Sequence, residues 1–237
     1  MTRSTYRFSS LAVILLFAGS TVVAQTSNTA TRNNEQELTK AMRTYVPPPY
    51  ERPWSKIKES DIRVWNRVWR DIDVNEKENK VFSSDAANIN SGLVNVLLEG
   101  FFSGKIKAYD PSVSNFTKEF TRDELIKLIT PGKGVVGFDP TQVTGYSVKE
   151  DWLLLNEGKM VVRIVGLAVL RPVTGTDGKL ASQPLFMVYY PDIRNFLAEH
   201  KPMDSKKNWD EIFESREFKS KIVNTKEMPL FRTPVKH

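Results

Sequence analysis

Tyr146-Ser-Val-Lys-Glu-Asp-Trp152, Asn156-Glu-Gly-Lys159 and Met160-Val-Val-Arg-Ile-Val-Gly-Leu-Ala-Val-Leu170 decide how this chain folds. In the first stretch Tyr146, Val148, Trp152 and, just beyond, Leu154 alternate with Ser147, Lys149 and Asp151. That is the period of a strand with one buried face. The second has the composition of a tight turn. The third is largely apolar at both parities, the pattern of a strand covered on both sides. A Gly- and Asp-containing loop, Thr174 to Gly178, then leads to a third strand over Leu185 to Tyr190. Helices can cover one face of such strands; the second face implies a partner surface.

Working outward, Leu93 to Ser103 predicts a core helix, with Leu93, Val94, Val96, Leu97, Leu98, Phe101 and Phe102 around most of its girth and Gly104 as its stop. Thr121-Arg-Asp-Glu124 is a capping box, with Phe120 and Leu125 spaced for a hydrophobic staple and Pro131 ending the helix. Pro191-Asp-Ile-Arg194 opens a helix that turns Ile193, Phe196 and Leu197 inward. Asn208-Trp-Asp-Glu211 resembles a second capping box ahead of Ile212 and Phe213. Phe218 to Val223 reads as an edge strand, rich in Lys as exposed edges often are. Toward the N-terminus, Ser60 is spaced as an N-cap. Ile62, Trp65, Val68, Trp69 and Ile72 then follow a helical stripe, and Arg63, Arg67 and Arg70 form another. The fold class is α+β, with N-terminal helices, a central antiparallel meander, C-terminal helices and an extended Pro-rich N-terminal arm.

Four segments follow. Residues 1–24 read as a signal peptide, with Arg3 and Arg7 before a short apolar core, Leu11 to Ala18, and Val22-Val-Ala24 as the cleavage site. The expected product is exported and carries no anchor. Residues 25–59 are a polar, then Pro-rich arm containing Pro47-Pro-Pro-Tyr-Glu-Arg-Pro-Trp54. It is either a tether or an arm that docks Tyr50 and Trp54 on a neighbour. Residues 60–225 form a single domain, and 226–237 a tail.

The full chain of 237 residues carries a net charge of +6, falling to +4 without the leader. This suits acidic protein surfaces or anionic headgroups. With no cysteine and only His200 and His237, thiolate metal sites, cysteine nucleophiles and multi-histidine sites are excluded. No cofactor and no metal is expected, and no catalytic role.

Several motifs lose their force in context. Gly132-Lys-Gly-Val-Val-Gly137 spells a dinucleotide fingerprint, but a helix precedes it and Phe138-Asp-Pro140 follows, so no helix N-terminus meets a pyrophosphate. Asp71, Asp73 and Asn75 match the start of a calcium loop that then carries Glu76 and Phe82 where Gly and Glu belong. Glu150 and Asp151 are neighbours on a strand and so face opposite sides. His200 sits at a helix end, where it complements the dipole. Arg163, in a row with Val161, Val165, Leu167 and Val169, is either paired internally, with Asp151 across the hairpin, or aimed at a partner. The Arg63, Arg67 and Arg70 stripe is either a solvated face or a surface for an acidic neighbour.

Ordered blocks carry a wider signal. Val64-Trp-Asn-Arg-Val-Trp-Arg-Asp-Ile-Asp-Val-Asn-Glu-Lys-Glu-Asn79 leads, followed by Gly104-Lys-Ile-Lys-Ala-Tyr-Asp110, Val148-Lys-Glu-Asp-Trp152 and Arg163-Ile-Val-Gly-Leu-Ala168. Pro184-Leu-Phe-Met-Val-Tyr-Tyr-Pro-Asp-Ile-Arg194 and Trp209-Asp-Glu-Ile-Phe-Glu-Ser-Arg-Glu-Phe218 complete them. Together, over residues 60 to 225, they resemble the GldN/PorN family of the type IX secretion and gliding machinery. The resemblance implies a periplasmic, non-enzymatic ring subunit. It further implies assembly with a GldK/PorK-like outer-membrane lipoprotein and coupling to a GldM/PorM-like inner-membrane motor protein. Tyr50 and Trp54 on the arm, with Arg63, Arg67 and Arg70, are the candidate partner contacts. The rival readings are an exported hydrolase using two facing carboxylates and a periplasmic binding module.

Overall fold

The computed structural model of the chain describes residues 45, 47, 50–84, 92–113, 115–130, 138–203 and 205–230. The expected leader and its cleavage site, residues 25–44, Pro131, the Gly132–Gly137 loop and residues 231–237 lie outside these. Among the described residues the order is β1 (Ile62–Asp73), α1 (Leu93–Phe102), α2 (Arg122–Ile129), β2 (Gly145–Leu155), β3 (Met160–Thr174), β4 (Leu180–Tyr189), α3 (Tyr190–Glu199), α4 (Trp209–Ser215) and β5 (Lys221–Glu227).

The strands form one antiparallel sheet in the order β4-β3-β2-β1-β5. The chain is α+β, with the meander β2-β3-β4 where the alternation placed it. The segment expected to be the first helix is β1. Ser60 belongs to a short 3-10 turn, Glu59–Asp61, and the strand starts immediately after it. Burial then alternates: Ile62, Val64, Asn66, Val68 and Ile72 are buried, while Arg63 and Asp73 are exposed. The i, i+3, i+7 spacing of Ile62, Trp65 and Trp69 fits a helix as well as a strand. The six β-branched and Trp side chains in this segment favour the pleated surface, and β2 and β5 hydrogen-bond both edges.

The core lies between one face of the sheet and the helices. Ile72, Tyr146, Val148, Ile164, Leu167, Val169 and Val188 pack against Leu93, Val94 and Leu97 of α1, Leu125 of α2, Ile193, Phe196 and Leu197 of α3, and Trp209, Ile212 and Phe213 of α4. Phe82 sits among them, with Tyr146, Trp209, Phe213 and Phe218 rings 5.5 to 6.1 Å away. Both capping boxes form: Thr121 with Glu124 opens α2, and Asn208 with Glu211 opens α4. Helix α1 has Gly92 at its N-cap and no side-chain cap of its own. Instead the Tyr146 hydroxyl of β2 accepts from the Val94 N–H at 3.0 Å and donates to the Phe82 carbonyl at 3.3 Å, tying helix to sheet.

One register slip and one limit of pairing shape the edges of the sheet. The β2–β3 pairing skips Val165, so the buried row runs Val162, Ile164, then Leu167 and Val169. The expected single row through Arg163, Val165, Leu167 and Val169 is therefore broken by a bulge, which moves one extra residue between the two halves. At the other end, β2 pairs with β3 only as far as Gly145 and Leu170. Arg171–Thr174 and Leu180–Gln183 pair only with each other among the strands, and Leu180 is 77% exposed at the tip.

Candidate interaction surfaces

The described part of the arm is docked on its own domain through a polar network. Tyr45 packs its ring 5.2 Å from Trp152. The Tyr50 hydroxyl donates to Asp210 Oδ2 at 2.6 Å, and the Trp54 indole Nε1 donates to Glu214 Oε2 at 2.7 Å. Asp210, at the start of α4, has no exposed surface and also accepts from the Tyr190 hydroxyl at 2.7 Å and from Arg194 Nε at 2.9 Å. Arg194 Nη2 reaches the Glu51 carbonyl at 2.8 Å. The Trp54 ring stacks on Tyr190 at 6.2 Å and lies between two guanidinium groups, Arg194 at 4.4 Å and Arg163 at 4.8 Å. Cation–π contacts of this kind contribute about 0.5 to 2 kcal/mol each, depending on how far they are desolvated. Burial and the Asp210 bond push the Tyr50 hydroxyl up to about 12, and burial raises the Glu214 carboxyl.

Arg163 is opposite Asp151 in the register, yet it does not make the expected ion pair. Its guanidinium turns to the arm, with Nη2 3.3 Å from the Ser55 carbonyl and Nη1 4.0 Å from Glu51. β4 ends at Tyr189, opposite Gly166, so on the edge away from β2 this part of β3 has no further strand beside it among the described residues, and Arg163 there meets the arm.

The arginine stripe is also redistributed. On a strand Arg63 and Arg67 share one parity and Arg70 takes the other. Arg67 binds Asp151 through two parallel bonds, Nε at 2.7 Å and Nη2 at 2.9 Å. Arg70 Nε binds the fully buried Glu150 at 2.9 Å; Arg216, in left-handed conformation just after α4, meets the other Glu150 oxygen at 3.1 Å. Trp152 Nε1 donates to the same Glu150 oxygen as Arg70, at 2.9 Å. The three arginines are therefore not one solvated face. Glu150 and Asp151 do point to opposite sides of the sheet.

On the face away from the core, Trp65, Arg67, Trp69 and Lys149 form a second surface. Lys149 Nζ lies 4.7 Å from the Phe116 ring centroid and 5.9 Å from that of Trp69. Phe116 has a left-handed backbone, φ 58°, and its ring fills the space above Gly166, where a Cβ would come within 2.5 Å of Cζ. A cavity of about 100 Å³ lies beside them, bounded also by Ala168 and Met187. Burial and the neighbouring Arg67 charge pull the Lys149 ammonium down to about 8, with Asp151 opposing.

His200 is the C-cap of α3, its Nδ1 2.7 Å from the Phe196 carbonyl. Asp73 Oδ1 accepts from the Asn75 N–H at 2.8 Å, closing a turn after β1. Among the described residues, no three acidic or imidazole side chains converge as metal ligands.

The family model for gliding motility associated protein GldN matches residues 57–230, from the turn before β1 to just past β5. The chain belongs to the GldN family. Membership gives this GldN-family chain a general role in gliding motility and type IX secretion. The match takes in the whole sheet, all four helices and the Arg–carboxylate pairs, while Tyr50 and Trp54 precede it. A comparison with curated proteins finds no match. Tyr50, Trp54, Arg67, Arg70 and Arg163 are legible in the sequence as candidate contacts, but Tyr45, Phe116, Arg194 and Arg216 are not, nor are the arm's partners, because Asp210 and Glu214 lie 160 residues beyond Tyr50 and Trp54.

Proposed function

We propose that this chain is a periplasmic scaffold subunit of the type IX secretion machinery. In this reading it assembles into a ring beneath the outer membrane with a GldK/PorK-like lipoprotein, and the ring couples to the periplasmic part of a GldM/PorM-like motor. Family membership over residues 57–230 carries the reading. The state of the carboxylates supports a structural role over the hydrolase: Glu150, Asp151 and Asp210 are each held by arginines at 2.7 to 3.1 Å, and Glu150 and Asp210 have no exposed surface. A hydrolase needs two carboxylates facing each other across an open cleft. A ring needs two different complementary patches on each subunit, and the Trp65/Trp69 face and the arm groove lie on different parts of the domain.

The test is a mild-detergent pull-down of the tagged mature chain from its own envelope fraction, with mass spectrometry of the recovered proteins. Near-stoichiometric recovery of a lipoprotein in a very large particle is expected. Recovery of a lone monomer overturns the proposal.

A further inference from the structure

The arm's docking contacts have properties that matter in an assembly. Among the described residues of the arm from Tyr45 to Lys58, none belongs to a helix or strand. Side chains carry most of its hold on the groove: the Tyr50 hydroxyl on Asp210, the Trp54 indole on Glu214, and the Trp54 ring between Arg194 and Arg163. Side chains of the domain grip the main chain of the described arm at two carbonyls, Glu51 by Arg194 and Ser55 by Arg163. Downstream, the chain is pinned again at Ser60 and Asp61, whose carbonyls accept from Asn156 in the β2–β3 turn. The hinge between the two anchorages is Lys56–Lys58, with both lysines exposed.

A segment bound through its own side chains, on a short exposed hinge, makes the same contacts in a neighbour's groove as in its own. In a lone subunit the tether keeps the arm at an effective concentration in the millimolar range, and the intramolecular contact dominates. When subunits are held side by side, the neighbour's groove is presented at comparable concentration. The hinge from Ser55 to Glu59 can span at most about 14 Å, so exchange reaches adjacent subunits and no further. The groove is also built to receive an arm: without one, Asp210 and Glu214 lose the Tyr50 and Trp54 donors, and the Arg194 and Arg163 guanidiniums lose the ring between them.

We infer that the groove formed by α3, α4 and Arg163 takes the Tyr50–Trp54 arm of an adjacent copy of this chain, so that arms pass from subunit to subunit around the assembly. The occupant is a second copy because the groove already matches this segment at two hydroxyl and indole donors, two backbone carbonyls and one ring. Arm of one subunit into groove of the next is a head-to-tail contact, the kind that closes into rings. This inference rests on the scaffold reading.

The absence of cysteine makes the test clean. Mature full-length Arg52→Cys chain, labelled on its single thiol with a benzophenone maleimide, is prepared with natural and with ¹⁵N isotope content. The two pools are mixed, assembled with the co-purifying lipoprotein, irradiated and digested. In the dilute monomer, crosslinks from the arm to α3 and α4 peptides carry one isotope only, which also establishes that the labelled chain folds with its groove filled. In the assembled particle, mixed-isotope crosslinks to the same peptides are expected to approach the statistical half. A particle that forms with single-isotope crosslinks alone, or with none to α3 and α4, overturns arm exchange and leaves the scaffold reading intact. Failure of wild-type chain to form any particle overturns both.

Discussion

Glu150→Gln is the most direct probe of what holds the sheet to the helices. Glu150 has no exposed surface and takes Arg70 from β1 at 2.9 Å, Arg216 from the end of α4 at 3.1 Å and the Trp152 indole at 2.9 Å. Glutamine keeps the volume and some hydrogen bonding but leaves two guanidinium groups, each less than a fifth exposed, without their counter-charge. Breaking a buried pair in this way costs about 3 to 5 kcal/mol. With a urea slope of about 2 kcal/mol per M, the unfolding midpoint should fall by roughly 1.5 to 2.5 M. Asp151→Asn, next door on the opposite face, disturbs only the Arg67 pair at the partly exposed surface, where about 1 kcal/mol and a shift of roughly 0.5 M are expected. Urea titrations followed by tryptophan fluorescence and by far-UV circular dichroism measure both. A Glu150→Gln midpoint within about 0.3 M of wild type, or a larger loss in Asp151→Asn, would refute the view that Glu150 is the central tie.

Three further outcomes follow from other contacts. Arg70→Glu should prevent folding by setting its carboxylate against that of Glu150 in the core, which thermal melts against wild type read. Gly166→Ala should cost about 1 to 3 kcal/mol by pushing a Cβ into the Phe116 ring, and the loss should shrink in a Phe116→Ala background, as a double-mutant cycle reads directly. Lys149 titrates near 8 in the folded chain, below the unfolded value of about 10.4. Below pH 8 both states are charged and the cost of burial is fully present. Between those values the unfolded chain holds a proton the folded chain has released, so stability rises with pH there. The wild type should therefore gain on Lys149→Met between pH 8 and about 10.4, and a flat difference would contradict the assignment.

What the sequence disclosed follows the range of the interactions. The β2–β3 hairpin, the two capping boxes and α1 were legible because their determinants are neighbours in the chain. β1 was misread because Ile62, Trp65, Val68, Trp69 and Ile72 satisfy a helical stripe, while the polar Asn66 and Arg70 interrupt the strand alternation on the buried side. Arg70 is tolerated there only because Glu150, 80 residues away, meets it. Arg163 was correctly singled out as needing a partner, but its real partners lie on the arm, 108 residues away. The Val165 bulge had no composition signal.

The position of β1 in the sheet also sets a timetable. Its two neighbours are β2, reached 84 residues later in the Arg67–Asp151 pair, and β5, which begins just after Ser220, the residue that Arg70 meets 150 residues later. A ribosome adding roughly 5 to 20 residues per second takes about 8 to 30 s to cover the longer gap. Until β2 has been made, Ile62, Val64, Val68 and two tryptophans have neither hydrogen-bonded edge in place, and the β5 edge stays open to the end of the interval. Pairing across such long stretches of chain makes for slow folding, and it leaves the apolar side chains of β1 without their full set of strand neighbours until the last strand has been made.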